Sequence, residues 1–171
     1  MAAFDLEMAS PVTSGYVGDA GGPKVGGHRP GSGWAIEFGM DLKAPPTTQV
    51  FIPFDGHITS LIPHDKKKDT STIYGAQITM RSANDLMGAY FTHITAIPAE
   101  IRPGMTVSRG DKLGQILPGA PTHLHVALCE IRGGGRFGVD IFKAITKISG
   151  TSDVIIVTFP QDGTPPTVRG A

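Results

Sequence analysis

From Thr122 to Ile131 the chain reads Thr-His-Leu-His-Val-Ala-Leu-Cys-Glu-Ile, an apolar, partly β-branched stretch that predicts a β-strand. Side chains alternate between the two faces of a strand, so His123 and His125 project from the same face. Two imidazoles held side by side on a rigid strand form half of a metal site. Histidines also occur on sheets as ordinary half-buried residues, so this pattern by itself leaves both interpretations open.

The composition limits the classes of protein to which the chain can belong. It has 171 residues, enough for one domain with a hydrophobic core, and its 15 basic residues balance its 15 acidic residues. A net charge of zero argues against a nucleic-acid partner and against a membrane-surface protein. The single cysteine, Cys129, excludes an internal disulfide and a cysteine-cluster zinc site. Its place on the predicted strand indicates a small buried residue rather than a nucleophile.

The fold class follows from the abundance of turn residues. The 23 glycines and 14 prolines suit short strands better than helices. Turn signals separate roughly seven short apolar or alternating segments, the pattern of an antiparallel all-β domain. Asp55-Gly56 predicts a hairpin, Asn84-Asp85 a second turn, and residues 139–145 one short helix. The sequence therefore predicts a mostly β domain with long loops and at most one short helix.

The two ends of the chain differ in composition from its centre. Residues 1–33 are rich in Gly, Pro and Ser and predict an irregular arm or long loop that carries His28. The folded domain is predicted over residues 34–159, with a flexible tail at 160–171. Residues 1–12 lack a basic region and a long apolar run, so we expect no secretory signal. No segment approaches the ~18 apolar residues of a membrane span. We expect a soluble protein made in the cytoplasm.

Two carboxylates precede the histidine strand in a similar alternating pattern. If residues 34–42, Trp-Ala-Ile-Glu-Phe-Gly-Met-Asp-Leu, are extended, then Glu37, Gly39 and Asp41 share one face. The gap at Gly39 would let a ligand or metal approach both carboxylates. The alternative is two acidic residues on the wet side of a strand. His93 ends an aromatic, β-rich run and is either a core histidine or a pocket residue.

Several motifs then follow one another in an order typical of one enzyme family. They are Glu37-Phe38-Gly39-Met40-Asp41-Leu42, Pro53-Phe54-Asp55-Gly56-His57-Ile58, Tyr90-Phe91-Thr92-His93-Ile94, residues 103–116 with Gly110-Asp111, His123-Leu124-His125-Val126 and Gly138-Val139-Asp140-Ile141. In order and spacing the sequence resembles the lysostaphin/LytM-type zinc endopeptidases, which cut peptide bonds in peptidoglycan. The resemblance covers residues 34–146 and implies a LytM-like antiparallel domain.

The resemblance also implies a site. The family's zinc ligands are the first His of His-x-Gly-x-Asp, its Asp, and the second His of His-x-His. Carried over, these are Asp41 and His125, with Glu37 standing where the family has the first histidine. His93 and His123 match the catalytic histidines, which would orient and deprotonate the attacking water and stabilise the oxyanion. The implied cofactor is Zn²⁺, and the implied substrate is a peptidoglycan peptide.

A glutamate at the first ligand position changes the chemistry of the site. Zinc accepts a carboxylate oxygen, but a second carboxylate cancels the remaining positive charge, so the ion acidifies water less. Three interpretations stay open. Glu37 is a working ligand in a slower hydrolase, another group such as His28 completes the site, or the domain has lost catalysis and serves as a binding or regulatory module.

The expected function is zinc-dependent hydrolysis of peptidoglycan cross-links at the cell wall or in the periplasm. A wall enzyme without an export signal needs another route to its substrate. Release through a holin-type route, or delivery as a component of a phage tail or contractile injection machine, is a further hypothesis.

Overall fold

Strands predominate in the computed structural model, as the composition predicts. It describes residues 4–12, 21–118, 122–132, 139–145, 147 and 153–170. The strands are β1 (Phe4–Ala9), β2 (Gly39–Lys43), β3 (Gln49–Phe51), β4 (Gly56–Ile62), β5 (Ala76–Ser82), β6 (Met87–Thr95), β7 (Thr106–Val107), β8 (Lys112–Ile116), β9 (His123–Glu130), β10 (Val154–Phe159) and β11 (Thr167–Arg169). The helices are α1 (Trp34–Glu37) and α2 (Val139–Ile145). Within these ranges, no helix combines the length and apolar character needed to cross a bilayer.

The predicted histidine strand lies at the heart of the larger sheet. This antiparallel sheet has the order β2-β9-β6-β5-β4-β7, and β3 pairs with β8, which also pairs with β6. All eight residues of β9 are buried. Leu124, Val126 and Leu128 face the hydrophobic core. Because side chains alternate, His123 and His125 lie on the opposite face of the sheet.

A second sheet joins segments from the two ends of the chain. It has three antiparallel strands in the order β1-β10-β11. Leu6 and Met8 of β1 are buried and belong to the same core as Ile155 and Val157 of β10. The arm and the tail therefore contain strands, which we did not predict from sequence. The alternation in β1 is short and surrounded by turn residues, and its ladder partner is distant in the chain.

The segment before Asp41 is not the continuous strand that we predicted. Gly33 adopts a φ of 90°, and its carbonyl accepts hydrogen bonds from the backbone N–H groups of Ile36 and Glu37. The chain consequently makes the helical turn α1 and becomes extended only at Gly39. Glu37 therefore lies on a helix, not on the strand face that carries Asp41.

The predicted hairpin at Asp55-Gly56 is also absent, because β3 and β4 pair with different strands. The Asp55 carboxylate accepts a hydrogen bond of 2.7 Å from the backbone N–H of Arg109. A Cβ at position 56 would lie 1.9 Å from the carbonyl oxygen of Arg81 on β5. Glycine is thus required here by the close approach of two strands, and not by a turn.

Other local predictions are confirmed. Asn84 and Asp85 form the turn between β5 and β6, and Asp85 has a positive φ of 57°. The predicted short helix is α2. Cys129 is buried, and burial raises the pKa of its thiol to about 11, consistent with an unreactive side chain. Residue 138, the first of the motif at 138–141, lies outside the described residues.

Candidate metal centre

The sheet brings Asp41 and His125 face to face. They are directly paired partners in the antiparallel ladder of β2 and β9, so their side chains share one face. The Nδ1 atom of His125 lies 3.2 Å from Oδ1 of Asp41. His123, two residues earlier on the same face, places Nε2 3.5 Å from the same oxygen. These distances place all three residues in one cluster, as the strand pattern and the resemblance predict.

A further side chain beside Asp41 is His28 from the glycine-rich loop, and His28, Asp41 and His125 together form the candidate metal cluster. Its Nε2 atom lies 3.2 Å from Oδ1 of Asp41, and its ring centroid lies 5.1 Å from that of His125. The side chain is buried. One ligand atom from each of His28, Asp41 and His125 can be chosen so that all lie within 4.8 Å of one another.

The structure does not bring Glu37 into this cluster. Its carboxylate accepts a hydrogen bond of 3.0 Å from the backbone N–H of Gly31 and lies 4.0 Å from the ammonium of Lys24. The physical reason is the helical turn α1, which takes Glu37 off the strand. His28, which the sequence left open as a substitute, occupies the position beside Asp41.

Backbone carbonyls fix the tautomers of both histidines beside Asp41. The Nδ1 atom of His28 lies 2.9 Å from the carbonyl oxygen of Gly22, and Nε2 of His125 lies 2.8 Å from that of Ala35. A carbonyl only accepts, so each of these nitrogens is the donor. In the neutral rings, the remaining nitrogens direct lone pairs at Asp41. Ligand histidines in metal sites are commonly oriented by such outer contacts.

The cluster fits a zinc ion by chemistry and by spacing. Two imidazole nitrogens and one carboxylate oxygen are a typical ligand set for catalytic zinc. Zinc bonds of 2.0–2.1 Å in tetrahedral geometry separate ligand atoms by roughly 3.3 Å. Both inward nitrogens lie 3.2 Å from Oδ1 of Asp41. A cation here would also relieve the repulsion between the two lone pairs and the carboxylate.

The charge state of Asp41 suits a cation ligand. Burial acts to raise the pKa of this carboxyl group. In their protonated forms, His125 and His28 also donate to Asp41, and these hydrogen bonds, together with the nearby His123, outweigh burial and hold the pKa of Asp41 well below its usual range. The hydrogen bond to Asp41, in turn, raises the pKa of His28.

Gly39 makes room for the ring of His125. A Cβ at position 39 would lie 2.3 Å from Cε1 and 2.8 Å from Nε2 of that ring. The gap at Gly39 was predicted to admit a ligand between two carboxylates, and it instead accommodates a histidine that faces one of them. Tyr90 closes another side, with its ring 5.9 Å from that of His125.

His93 lies next to the cluster in an unusual backbone conformation. Its φ is 66°, a region that residues other than glycine seldom adopt and that often marks functional sites. Its ring stacks on Tyr74 at 3.8 Å, and its Nδ1 atom donates to the Tyr74 carbonyl at 3.2 Å. Burial lowers the pKa of His93 to about 4. The ring lies 4.8 Å from that of His123.

The remaining two histidines, His57 and His64, lie elsewhere and contact other aspartates. His57 lies 3.7 Å from Asp85, and His64 lies 2.8 Å from Asp69. They provide natural controls for experiments on the cluster.

Solved structures with a similar fold include lysostaphin, a zinc-containing peptidase and an M23 metalloprotease. Lysostaphin matches with a TM-score of 0.51 and 17% identity over 67% of this chain and 46% of its own. A zinc-containing peptidase from Vibrio cholerae matches with a TM-score of 0.50 and 21% identity over 70% of this chain and 35% of its own. Pseudoalterin, an M23 metalloprotease from the deep sea, matches with a TM-score of 0.51 and 15% identity over 95% of this chain and 98% of its own.

The fold is that of the lysostaphin/LytM-type M23 peptidases. The chain spans less than half the length of the first two proteins and nearly all of pseudoalterin. No protein-family model and no curated protein matches the sequence.

Within this LytM-type fold, His28 is the one residue of the cluster that lies outside the motifs quoted from the sequence. Asp41, His93, His123 and His125 lie together at the positions that the motifs predicted. His28 approaches from a loop well before Asp41 in the chain. The only indication of His28 in the sequence was a histidine in a long, glycine-rich loop. Such a pattern identifies a candidate residue but does not predict its position in space.

Proposed function

We propose that this chain is a zinc-dependent endopeptidase that hydrolyses peptide cross-links of bacterial peptidoglycan. The observation that carries the proposal is the convergence of His28, Asp41 and His125, with both histidine tautomers fixed by carbonyls. Two further histidines, His93 and His123, lie beside these three. The similarity in fold to M23 peptidases adds support.

The three converging side chains would hold the ion and leave a fourth position open to solvent or substrate. When bound, zinc supplies Lewis acidity toward water and toward the carbonyl oxygen of the scissile peptide. Asp41 contributes the single negative charge, so the site keeps a net positive charge. The reduced Lewis acidity that we expected from a second carboxylate at Glu37 does not apply to this ligand set.

His93 and His123 are suited to moving the protons that hydrolysis requires. One proton must leave the attacking water, and one must reach the amide nitrogen when the carbon–nitrogen bond breaks. His93 donates Nδ1–H to the Tyr74 carbonyl, so in the neutral ring Nε2 carries a lone pair that can accept a proton. His123 lies beside both Asp41 and the ring of His93. From there it can donate a hydrogen bond to the developing oxyanion.

The test combines metal content with the release of new amino termini from purified peptidoglycan. We expect close to one zinc per chain, and cleavage that stops with a chelator and returns with added zinc. His125→Ala should lose both metal and cleavage, because it removes a ligand. His57→Ala, outside the cluster, is the matched control and should change neither.

Two results would contradict the proposal. A zinc-free protein, or cleavage that continues in the presence of chelator, would exclude a zinc enzyme. Bound zinc without cleavage of any peptidoglycan chemotype would instead favour a module that binds wall peptide.

A further inference from the structure

Glu37 touches both ends of the loop that carries His28. At one end, its carbonyl accepts a hydrogen bond of 2.9 Å from the backbone N–H of Lys24. At the other end, its carboxylate accepts one of 3.0 Å from the backbone N–H of Gly31. The side chain of Glu37 is only 19% exposed, whereas Lys24 and Gly31 are exposed. A single residue therefore closes the segment 24–31, which we call the His28 loop.

Besides Glu37, the His28 loop is held by contacts of His28 with Gly22 and Asp41 and by Lys24 over the ring of Phe38. Every other residue from 24 to 31 is exposed, and His28 alone is buried. Without buried apolar side chains, such a segment depends on its hydrogen bonds for order. Inside the loop, the backbone N–H of His28 donates to the carbonyl of Val25 at 3.0 Å. That bond shapes the turn and does not attach it to the sheet.

We infer that Glu37 is a positioning residue for the metal site: by fastening the His28 loop to α1, it keeps His28 beside Asp41. This inference rests on the proposed function, because its main consequence is the affinity for zinc. A carboxylate that accepts a backbone N–H forms a stronger bond than a neutral acceptor. Glu37 thus acts on the site from outside the cluster, through the loop, and contributes no ligand atom.

The test measures zinc affinity by competition with a chromophoric chelator. Glu37→Ala should weaken zinc binding roughly 10-fold, the lower end of the effect of losing an outer support of a metal ligand. Glu37→Gln should weaken zinc binding less than Glu37→Ala does, because its amide oxygen can still accept from Gly31, although as a neutral and weaker acceptor. Glu100→Ala, at an exposed glutamate, is the matched control and should have no effect.

Thermal unfolding of the metal-free variants separates positioning from a general loss of stability. All three should melt within about 2 °C of wild type, because the changes lie outside the core. Unchanged zinc affinity in Glu37→Ala would overturn the inference. Loss of zinc in Glu37→Gln, with binding retained in His28→Ala, would also overturn it, because Glu37 would then be a ligand.

A measurement without metal keeps the inference independent of the proposed function. In the metal-free protein, the Nδ1–H proton of His28 should give a protected NMR signal, because it donates to Gly22. We expect this signal in wild type and Glu37→Gln and its loss in Glu37→Ala. If wild type binds no zinc, this pattern still supports the inference while the proposed function fails. Retention of the signal in Glu37→Ala would overturn the inference.

Discussion

The metal cluster has a half built on strands and a half built on a loop. Asp41 and His125 face each other across the β2–β9 ladder, where backbone hydrogen bonds fix their separation. His28 comes from a loop whose other residues between 24 and 31 are exposed. The contrast teaches that one ligand pair follows from register alone, whereas the third ligand needs separate contacts to reach the same point.

The largest effect should come from breaking the strand half at Gly39. Gly39→Ala places a Cβ 2.3 Å from the ring of His125, so that ring must move away from Asp41. We expect zinc affinity to fall at least ~100-fold and the free energy of unfolding to fall by about 1–3 kcal/mol through overpacking. Chelator competition and chemical denaturation measure the two effects.

Gly170→Ala is the control for that experiment, because a Cβ there meets nothing within 4 Å. Wild-type zinc affinity in Gly39→Ala would show that the strand half is not the fixed element we take it to be.

A narrower effect, on catalysis and not on metal affinity or stability, should come from His93, which belongs to neither half of the cluster. His93→Ala removes a proton acceptor but no ligand, so kcat/KM for peptidoglycan cleavage should fall ~10²–10⁴-fold. Zinc content should stay at the wild-type level. His64→Ala, at a histidine paired with Asp69 instead, should retain full activity. A loss of zinc in His93→Ala would mean that this residue is part of the ligand shell.

The smallest effect is a difference in local opening between the His28 loop and β9. It can be measured in the wild-type protein without any substitution. In hydrogen exchange of the metal-free protein, the backbone amides of His28 and Gly31 should exchange ~10²-fold faster than those of β9. Loops open locally, whereas a buried central strand is released only by larger unfolding events. Added zinc should slow exchange in the loop and leave β9 unchanged. Equal protection of the two regions would remove the distinction between them.

The strand half could be predicted from sequence because its information is local. A period of two places His123 and His125 on one face, and the same period fixes the face of Asp41 once β2 begins.

The loop half could not be predicted in this way. The interruption at α1 depends on the positive φ of Gly33, and a glycine is equally compatible with an extended strand. The choice between Glu37 and His28 depends on hydrogen bonds to Gly31 and Gly22, which no periodicity encodes. The strand β1 was missed for a related reason, because its partner β10 lies far from it in the chain. The strand β11 has only three residues, too few to show an alternating pattern.

The turn α1 has one more consequence, for how such a site can vary between proteins. The backbone N–H of Asp41 donates to the carbonyl of Gly21, and that of Lys24 donates to the carbonyl of Glu37, so the intervening chain returns to β2. Residues can therefore be added at the exposed Ser32, between the Gly31 bond to Glu37 and the turn at Gly33, while the atoms that face Asp41 keep their separations. Distance along the chain and distance in space are decoupled at this point.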